Sequence, residues 1–434
     1  MRRKRRGISA GTLFMLLATC AVLGGTLWVL RTLEGDHPMD LRLAEQVGSI
    51  TLKGLTPELS VEDIPLISEG EEKQAPQEAN SQRAQIAIVT EPPRGGEIDL
   101  TFAGTIALET NVRQSGYYSD SKRYDFSDIL SLIAPDIRSD YAFAPVENLI
   151  VPSAQVSDLI APAELTGMLV SGQLDGIGFG FSKAYDKTYD GLSDTVLHAQ
   201  SAGLDVFGAY RNEGEAGISA QIRQIGNVKV AFLHYTESLS TTGSKAVRKD
   251  GRTYAIPLLE RAEQDIPIAR SLGADLVVVT VNWGTAGKTE VTKTQKSVAQ
   301  RLAAAGADLI VGNGPRRVQT LEKLELTLDG GVKHTTLCAY SLGCLLSSST
   351  KAGALQSMLL HVHAKVDAQG AVSLSATYTP TFLWRYKQES LVRFRVIAAN
   401  GQVPDGMSED QQKKMTAAAS GVAGIVKDAP ITVR

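Results

Sequence analysis

Cysteine is scarce in this chain: three in 434 residues, at Cys20, Cys338 and Cys344. Cys338 and Cys344 flank a strand end six positions apart, too far in an extended segment to bridge, so both are expected as free, buried thiols. A thiolate metal site lacks ligands for the same reason. A net positive charge is lacking beyond the first residues. The formal net charge of −3 includes the five positive charges of Arg2, Arg3, Lys4, Arg5 and Arg6, which leaves −8 for everything after them. A body of that sign lacks the clustered Lys and Arg that neutralise phosphates, so no nucleic-acid partner is expected. Gly312-Asn-Gly314 lacks the Gly-Lys-Ser/Thr ending of a phosphate-binding loop, and its glycines are read as permitting a tight turn. No histidine has a Ser or Cys that spacing would nominate as its nucleophile. His361 and His363 share a strand face, but two ligands make no metal site, and they are expected as a surface or edge pair.

Charge is absent altogether from Gly7 to Leu30. At the helical rise those residues reach roughly 36 Å, enough to cross a hydrocarbon core of about 30 Å. The basic residues before them place the N-terminus in the cytoplasm and export Arg31 onward. A cleaved signal peptide is the alternative, and Leu17-Ala-Thr-Cys20 is similar to a lipoprotein cleavage box. The apolar run continues ten residues past that Cys, which favours an uncleaved single-pass anchor.

What remains is ordinary for a folded protein: 43% hydrophobic and 21% charged residues with 40 glycines, at a length that implies two or three units. Residues 1–6 form a basic tail, 7–30 the anchor, and 31–95 a flexible extracytoplasmic stalk too polar to bury a core. Residues 96–398 form an α/β domain, and 399–434 a C-terminal helical extension around Ser408 to Val426, either packed on the domain or loosely tethered.

Within the domain, Ile98 to Gly104, Tyr141 to Val146, Asp175 to Gly180, Asp205 to Gly208 and Val228 to Tyr235 read as strands. Asp125 to Ile133 and Gly191 to Gly203 read as helices. Two echoing stretches follow, Gly273-Ala-Asp to Trp283-Gly284 and Gly306-Ala-Asp to Gln319. Each is a helix ending at Gly, then a continuous apolar strand that stops at a polar loop. The helices leading into them are Pro257 to Leu272 and Thr294 to Ala305. In α/β proteins the carboxyl ends of such strands gather side chains around a ligand. Thr335 to Leu342 and Leu391 to Ile397 read as further strands, and Met358 to Lys365 with Ala371 to Tyr378 as a hairpin.

The order of these strand ends resembles the bacterial capsule-synthesis family of the CapA, or poly-γ-glutamate synthesis, type. The resemblance runs from about Asp99 to Tyr378 and rests on Phe102-Ala-Gly-Thr105, Pro145-Val-Glu147, Gly180 to Thr188, Asn282-Trp-Gly284, Gly312 to Gln319 and Tyr340-Ser-Leu-Gly-Cys344. It implies a metallophosphatase-like α/β/β/α sandwich. The family carries Asp, Asn and His at these loops, which look like a divalent-metal cluster. Here Thr105, Pro145, Lys183, Asn282, Gly314 and Arg316 stand in those places, and Cys344 replaces an Asn. Thr and Asn are weak ligands, Gly and Pro offer no donor, and Lys or Arg repels a dication by several kcal/mol even at an effective dielectric of ~20. No cofactor is therefore expected.

Two arrangements remain open for the replacements. Lys183 and Arg316, with Arg317 beside them, supply charge-assisted donors to an anion, and Asn282 and Gln319 add neutral hydrogen bonds. Alternatively Lys183 or Arg316 pairs with Glu147 or Asp186 and fills the space of a metal with an internal ion pair. The resemblance implies a non-catalytic protein of capsule or poly-γ-glutamate synthesis or export, with an anionic extracellular polymer and membrane export proteins as partners. The competing expectation is a hydrolase or transferase acting on that polymer, with Glu147 and Asp186 for acid–base work and Mn²⁺ or Zn²⁺ as the metal. Trp283 is expected to cover the core rather than stack on a sugar.

Overall fold

A computed structural model describes residues 95–434 apart from 350, 352, 389 and 390. The expected tail, anchor and stalk lie outside the described residues. Among those described, no helix is long and apolar enough to cross a membrane.

Two sheets organise the domain. In the first, parallel strands β1 (Gly96–Phe102), β2 (Tyr141–Pro145), β3 (Gly176–Gly178) and β4 (Asp205–Phe207) lie side by side in that order. The antiparallel strands β11 (Gln356–Val366), β12 (Val372–Gln388) and β13 (Leu391–Ala398) continue it beyond β1, and β14 (Thr432–Val433) pairs with β12. The second sheet runs β5 (Ile222–Ile225), β6 (Val228–Thr236), β7 (Leu276–Asn282), β8 (Leu309–Asn313), β10 (Lys333–Ala339) and β9 (Leu321–Thr327). Its four inner strands are parallel, and both edges are antiparallel.

Strand side chains alternate between faces, and that alternation sorts the core into layers. Ile98, Leu100 and Phe102 of β1 pack with Phe232 of β6, Val278 of β7 and Leu309 of β8 between the sheets. The opposite face of the second sheet, with Leu233, Val279 and Ile310, receives Ile266 and Leu302 from α5 (Ala262–Ser271) and α6 (Lys293–Ala304). The outer face of the first sheet, through Ala142, Ala144 and Ile177, receives Leu169 of α2 (Glu164–Ser171) and Leu192 and Val196 of α3 (Thr188–Ser201). Helix, sheet, sheet and helix thus follow one another in a mixed α/β fold. The C-terminal helix α7 (Glu409–Ile425) is capped by the Ser408 side chain and buries Met415, Ala418 and Val422, so it is packed on the domain.

Two sequence expectations change. Asp125 to Ile133 is not a helix but a run of turns, followed by the short helix α1 (Ala134–Ile137). Its apolar residues Phe126, Ile129, Leu130 and Ile133 are buried at the helical spacing that prompted the reading. β11 is an interior strand, so His361 and His363 are no edge pair. His361 is buried between Thr101 and Thr379, and only His363 is exposed, against Asp99. Strand β9 and helix α2 were not foreseen. Cys338 and Cys344 are free and buried, as their spacing required.

Candidate functional site

The carboxyl ends of parallel strands from both sheets open into one cleft of about 760 Å³. Glu147 follows β2 and Lys183 follows β3 in the first sheet. Glu237 follows β6, Asn282 ends β7, and Arg316 follows β8 in the second. Parallel register aligns the contributors, since Asn282 is paired with Thr236 on one side and Asn313 on the other.

Arg316 lines the cleft and is held there by two carboxylates. Its Nε donates to Glu147 Oε2 at 3.0 Å, its Nη2 donates to the same oxygen, and its Nη1 donates to Glu109 Oε1 at 2.6 Å. The other carboxylate oxygens are also taken. Asn282 Nδ2 donates to Glu147 Oε1 at 3.2 Å and to Asn313 Oδ1 at 2.7 Å. Ser347 Oγ and the Ser348 backbone N–H donate to Glu109 Oε2 at 2.9 and 2.7 Å. Burial opposes the Arg316 charge, but the attraction of Glu147 and the hydrogen bonds to Glu147 and Glu109 act together against it, and the pKa is raised above its ordinary value.

The chain turns sharply to place this guanidinium. Gly314, at φ 108°, lies so close to Trp283 that a Cβ would stand 2.4 Å from the Trp283 carbonyl oxygen. Arg316 itself adopts φ 53°, a conformation that costs a bulky residue about 1–2 kcal/mol and persists because surrounding bonds determine it. Trp283 is buried beneath, stacked on Tyr340 with its Nε1 donating to the Tyr340 carbonyl at 2.9 Å.

The remaining nominated residues divide. Lys183 is exposed on the cleft wall, and among the described residues no carboxylate lies within ion-pair distance of it. Asp186 stands away from the cleft lining and accepts a bond from Ser240 Oγ, the cap of helix α4 (Thr241–Asp250). Gln319 is fully buried. It accepts from Gln295 Nε2 at 2.9 Å and donates to the carbonyls of Glu290 at 2.9 Å and Lys288 at 3.3 Å, so it ties α6 to the loop before it. Thr105 Oγ1 is buried and has no hydrogen-bond partner among the described residues. Cys344 Sγ donates to the Thr105 carbonyl at 3.2 Å, and burial pushes its thiol up to about 12, which keeps it protonated in this environment.

These groups do not fit a divalent metal. Glu109 and Glu147 accept at both of their oxygens, and a dication between them would have to displace the guanidinium that both acids hold. The internal pair foreseen for Arg316 and Glu147 is present, and Glu109 joins it unforeseen. Glu109 lies 207 positions from Arg316 with no pattern linking them. Glu237, whose Oε2 accepts from the Gly284 N–H at 3.0 Å, was likewise not nominated.

A mixed α/β domain whose strand ends converge on one polar cleft defines the class. The family model for bacterial capsule synthesis protein PGA_cap matches residues 99–349, more than half of the chain, and the protein belongs to that family. It is similar to the PGA biosynthesis protein CapA of Bacillus subtilis (strain 168), 25% identical over 223 residues, covering 48% of this chain and 54% of that protein. It is also similar to the capsule biosynthesis protein CapA of Bacillus anthracis, 22% identical over 251 residues, covering 56% of this chain and 60% of that one. The chain thus spans less than two thirds of either relative.

Proposed function

We propose that this protein is a non-catalytic CapA-like component of capsule or poly-γ-glutamate synthesis or export. In this reading residues 7–30 anchor it in the cell membrane, and the domain stands outside, where it holds an anionic polymer or a membrane partner of the synthesis machinery. The observation that carries the proposal is the Arg316 guanidinium between Glu109 and Glu147, which supplies from within the chain the positive charge that a metal would bring. The helix, sheet, sheet, helix layering supports a metallophosphatase-like sandwich as the scaffold. Names of the two relatives support the polymer class, and the charge-free run before Arg31 supports the anchor.

A hydrolase or transferase using Glu147 and Asp186 is the rival reading. Asp186 faces Ser240 rather than the cleft, and Glu147 is bound to Arg316, which weighs against an acid–base pair. Full-length protein incubated with Mn²⁺ or Zn²⁺ should retain no stoichiometric metal and should hydrolyse neither phosphoesters nor γ-glutamyl bonds. Stoichiometric metal with turnover abolished by Glu147→Gln would overturn the proposal.

A further inference from the structure

A second chamber of about 520 Å³ adjoins the cleft across the Arg316 side chain, and its charge has the opposite balance. The main cleft is lined by four carboxylates, Glu109, Glu147, Asp158 and Glu237, against the two cations Lys183 and Arg316. The second chamber is lined by Arg316, Arg317 and Lys351 against Glu109 and Asp158 alone. Its acids are also engaged. Glu109 is held by Arg316, Ser347 and Ser348, and Asp158 accepts from the backbone N–H and hydroxyl of Thr110 at 2.7 and 2.5 Å.

Arg317 is the feature without an internal explanation. It is only 9% exposed, yet among the described residues its one hydrogen-bond acceptor is the Arg316 carbonyl, reached by Nη1 at 2.8 Å. No carboxylate among them pairs with it, whereas its neighbour Arg316 has two. Buried guanidinium groups are normally neutralised, and the planar fork of Arg matches oxyanions with two parallel donors. The turn that sends Arg316 into the shared wall leaves Arg317 to the second chamber alone.

We infer that the chamber lined by Arg317, Lys351 and Ser349 is an oxyanion site that takes a carboxylate group of an anionic chain, and that the main cleft beside Lys183 does not. This deepens the polymer-binding reading and rests on it for the source of the carboxylate, though not for the site itself. Arg317 supplies the fork, Lys351 the long-range attraction, and the acidic cleft next door repels a second carboxylate, which sets the direction in which a polyanion leaves the chamber.

The test compares full-length wild type with Arg317→Gln, Arg317→Lys, Lys351→Gln and Lys183→Gln, by titration calorimetry against a γ-linked glutamate oligomer and, separately, inorganic phosphate at low salt. Arg317→Gln should weaken both ligands at least tenfold, Arg317→Lys and Lys351→Gln by about threefold, and Lys183→Gln by less than twofold. Thermal melts check folding, and Lys351→Gln, on an exposed residue, keeps a readout if the Arg317 variants do not fold. Wild-type binding of the oligomer that is unchanged in the Arg317 and Lys351 variants would overturn the chamber assignment while leaving the polymer reading intact. Phosphate binding that depends on Arg317, without oligomer binding, would do the reverse. Binding of neither ligand by wild type would overturn both.

Discussion

Arg316 and Glu147 form a two-pronged ion pair across the two sheets, with Nε and Nη2 of the guanidinium on one carboxylate oxygen and Glu109 on its third nitrogen. The Glu147 side chain is 12% exposed and that of Arg316 is 29% exposed, so solvent screens the pair only in part. Removing one partner from such a pair leaves a charge without compensation, which costs more than the pair itself contributes.

Arg316→Ala should therefore destabilise the protein by on the order of 3 kcal/mol, since it sets Glu109 against Glu147 with nothing between them. The same change creates a cation site. Adding Mn²⁺ at ~100-fold its Kd should return about 2–3 kcal/mol to the variant and almost nothing to wild type. Urea titrations with and without Mn²⁺ read both effects, and a variant as stable as wild type and indifferent to Mn²⁺ would show that the guanidinium is not the internal cation.

Close approach rather than chemistry explains Gly312. A Cβ there would lie 2.1 Å from the Tyr340 carbonyl oxygen and 2.3 Å from Trp283 Nε1, inside the bond that holds the indole. Gly312→Ala should cost about 3 kcal/mol or more, at the upper end for overpacking because backbone has to move. Displacement of Trp283 should also alter the near-ultraviolet circular dichroism. Wild-type stability with an unchanged aromatic spectrum would contradict this packing.

Gln319 has a structural role that its place in the nominated anion site did not foretell. Its side chain accepts from Gln295, which in turn forms a capping box with Thr292 at the start of α6. Gln319→Ala leaves two loop carbonyls and the Gln295 amide without this partner and should cost about 2 kcal/mol. Affinity for a glutamate oligomer should stay within twofold of wild type. A tenfold loss of affinity without loss of stability would return Gln319 to the binding surface.

What could be read in the chain follows from how local each signal is. Leu276–Asn282 and Leu309–Asn313 were legible because inner parallel strands are buried on both faces and so read as continuous apolar runs. Leu321–Thr327 was not, because its leucines at 321, 324 and 326 keep no strict alternation, and the strand lies at the sheet edge, where Lys323, Glu325 and Thr327 stay exposed. Phe126, Ile129, Leu130 and Ile133 mimic a helix face, yet consecutive turns, with Ile129 donating to Phe126 and Ile133 to Leu130, bury them equally well. At the site, the loops that carry Glu147, Asn282 and Arg316 were found from strand ends. Glu109 and the uncompensated Arg317 depend on which side chains meet in space, which no periodicity encodes.

His234 offers a pH dependence whose sign is fixed by its surroundings. It lies on β6, fully buried between the sheets, with Nδ1 2.7 Å from Thr280 Oγ1 and Nε2 3.1 Å from the Gly180 carbonyl. A neutral imidazole satisfies both by accepting from the hydroxyl and donating to the carbonyl, whereas an imidazolium has no acceptor at Nδ1 beyond a rotated hydroxyl. Burial, opposed in part by the Gly180 carbonyl, lowers its pKa from 6.5 to about 4. Between those values the unfolded chain binds the proton and the folded one does not, so the stability His234 provides is complete above pH 6.5 and lost as pH falls toward 4. The loss amounts to about 3 kcal/mol. His361 is depressed in the same direction, so the total acid loss is larger than this share. Comparison with His234→Gln isolates it. The variant should be less stable at pH 7, and its stability should fall less steeply than that of wild type from pH 6.5 to 4 in urea titrations. Parallel curves over that window would mean that His234 keeps an ordinary pKa in the folded protein.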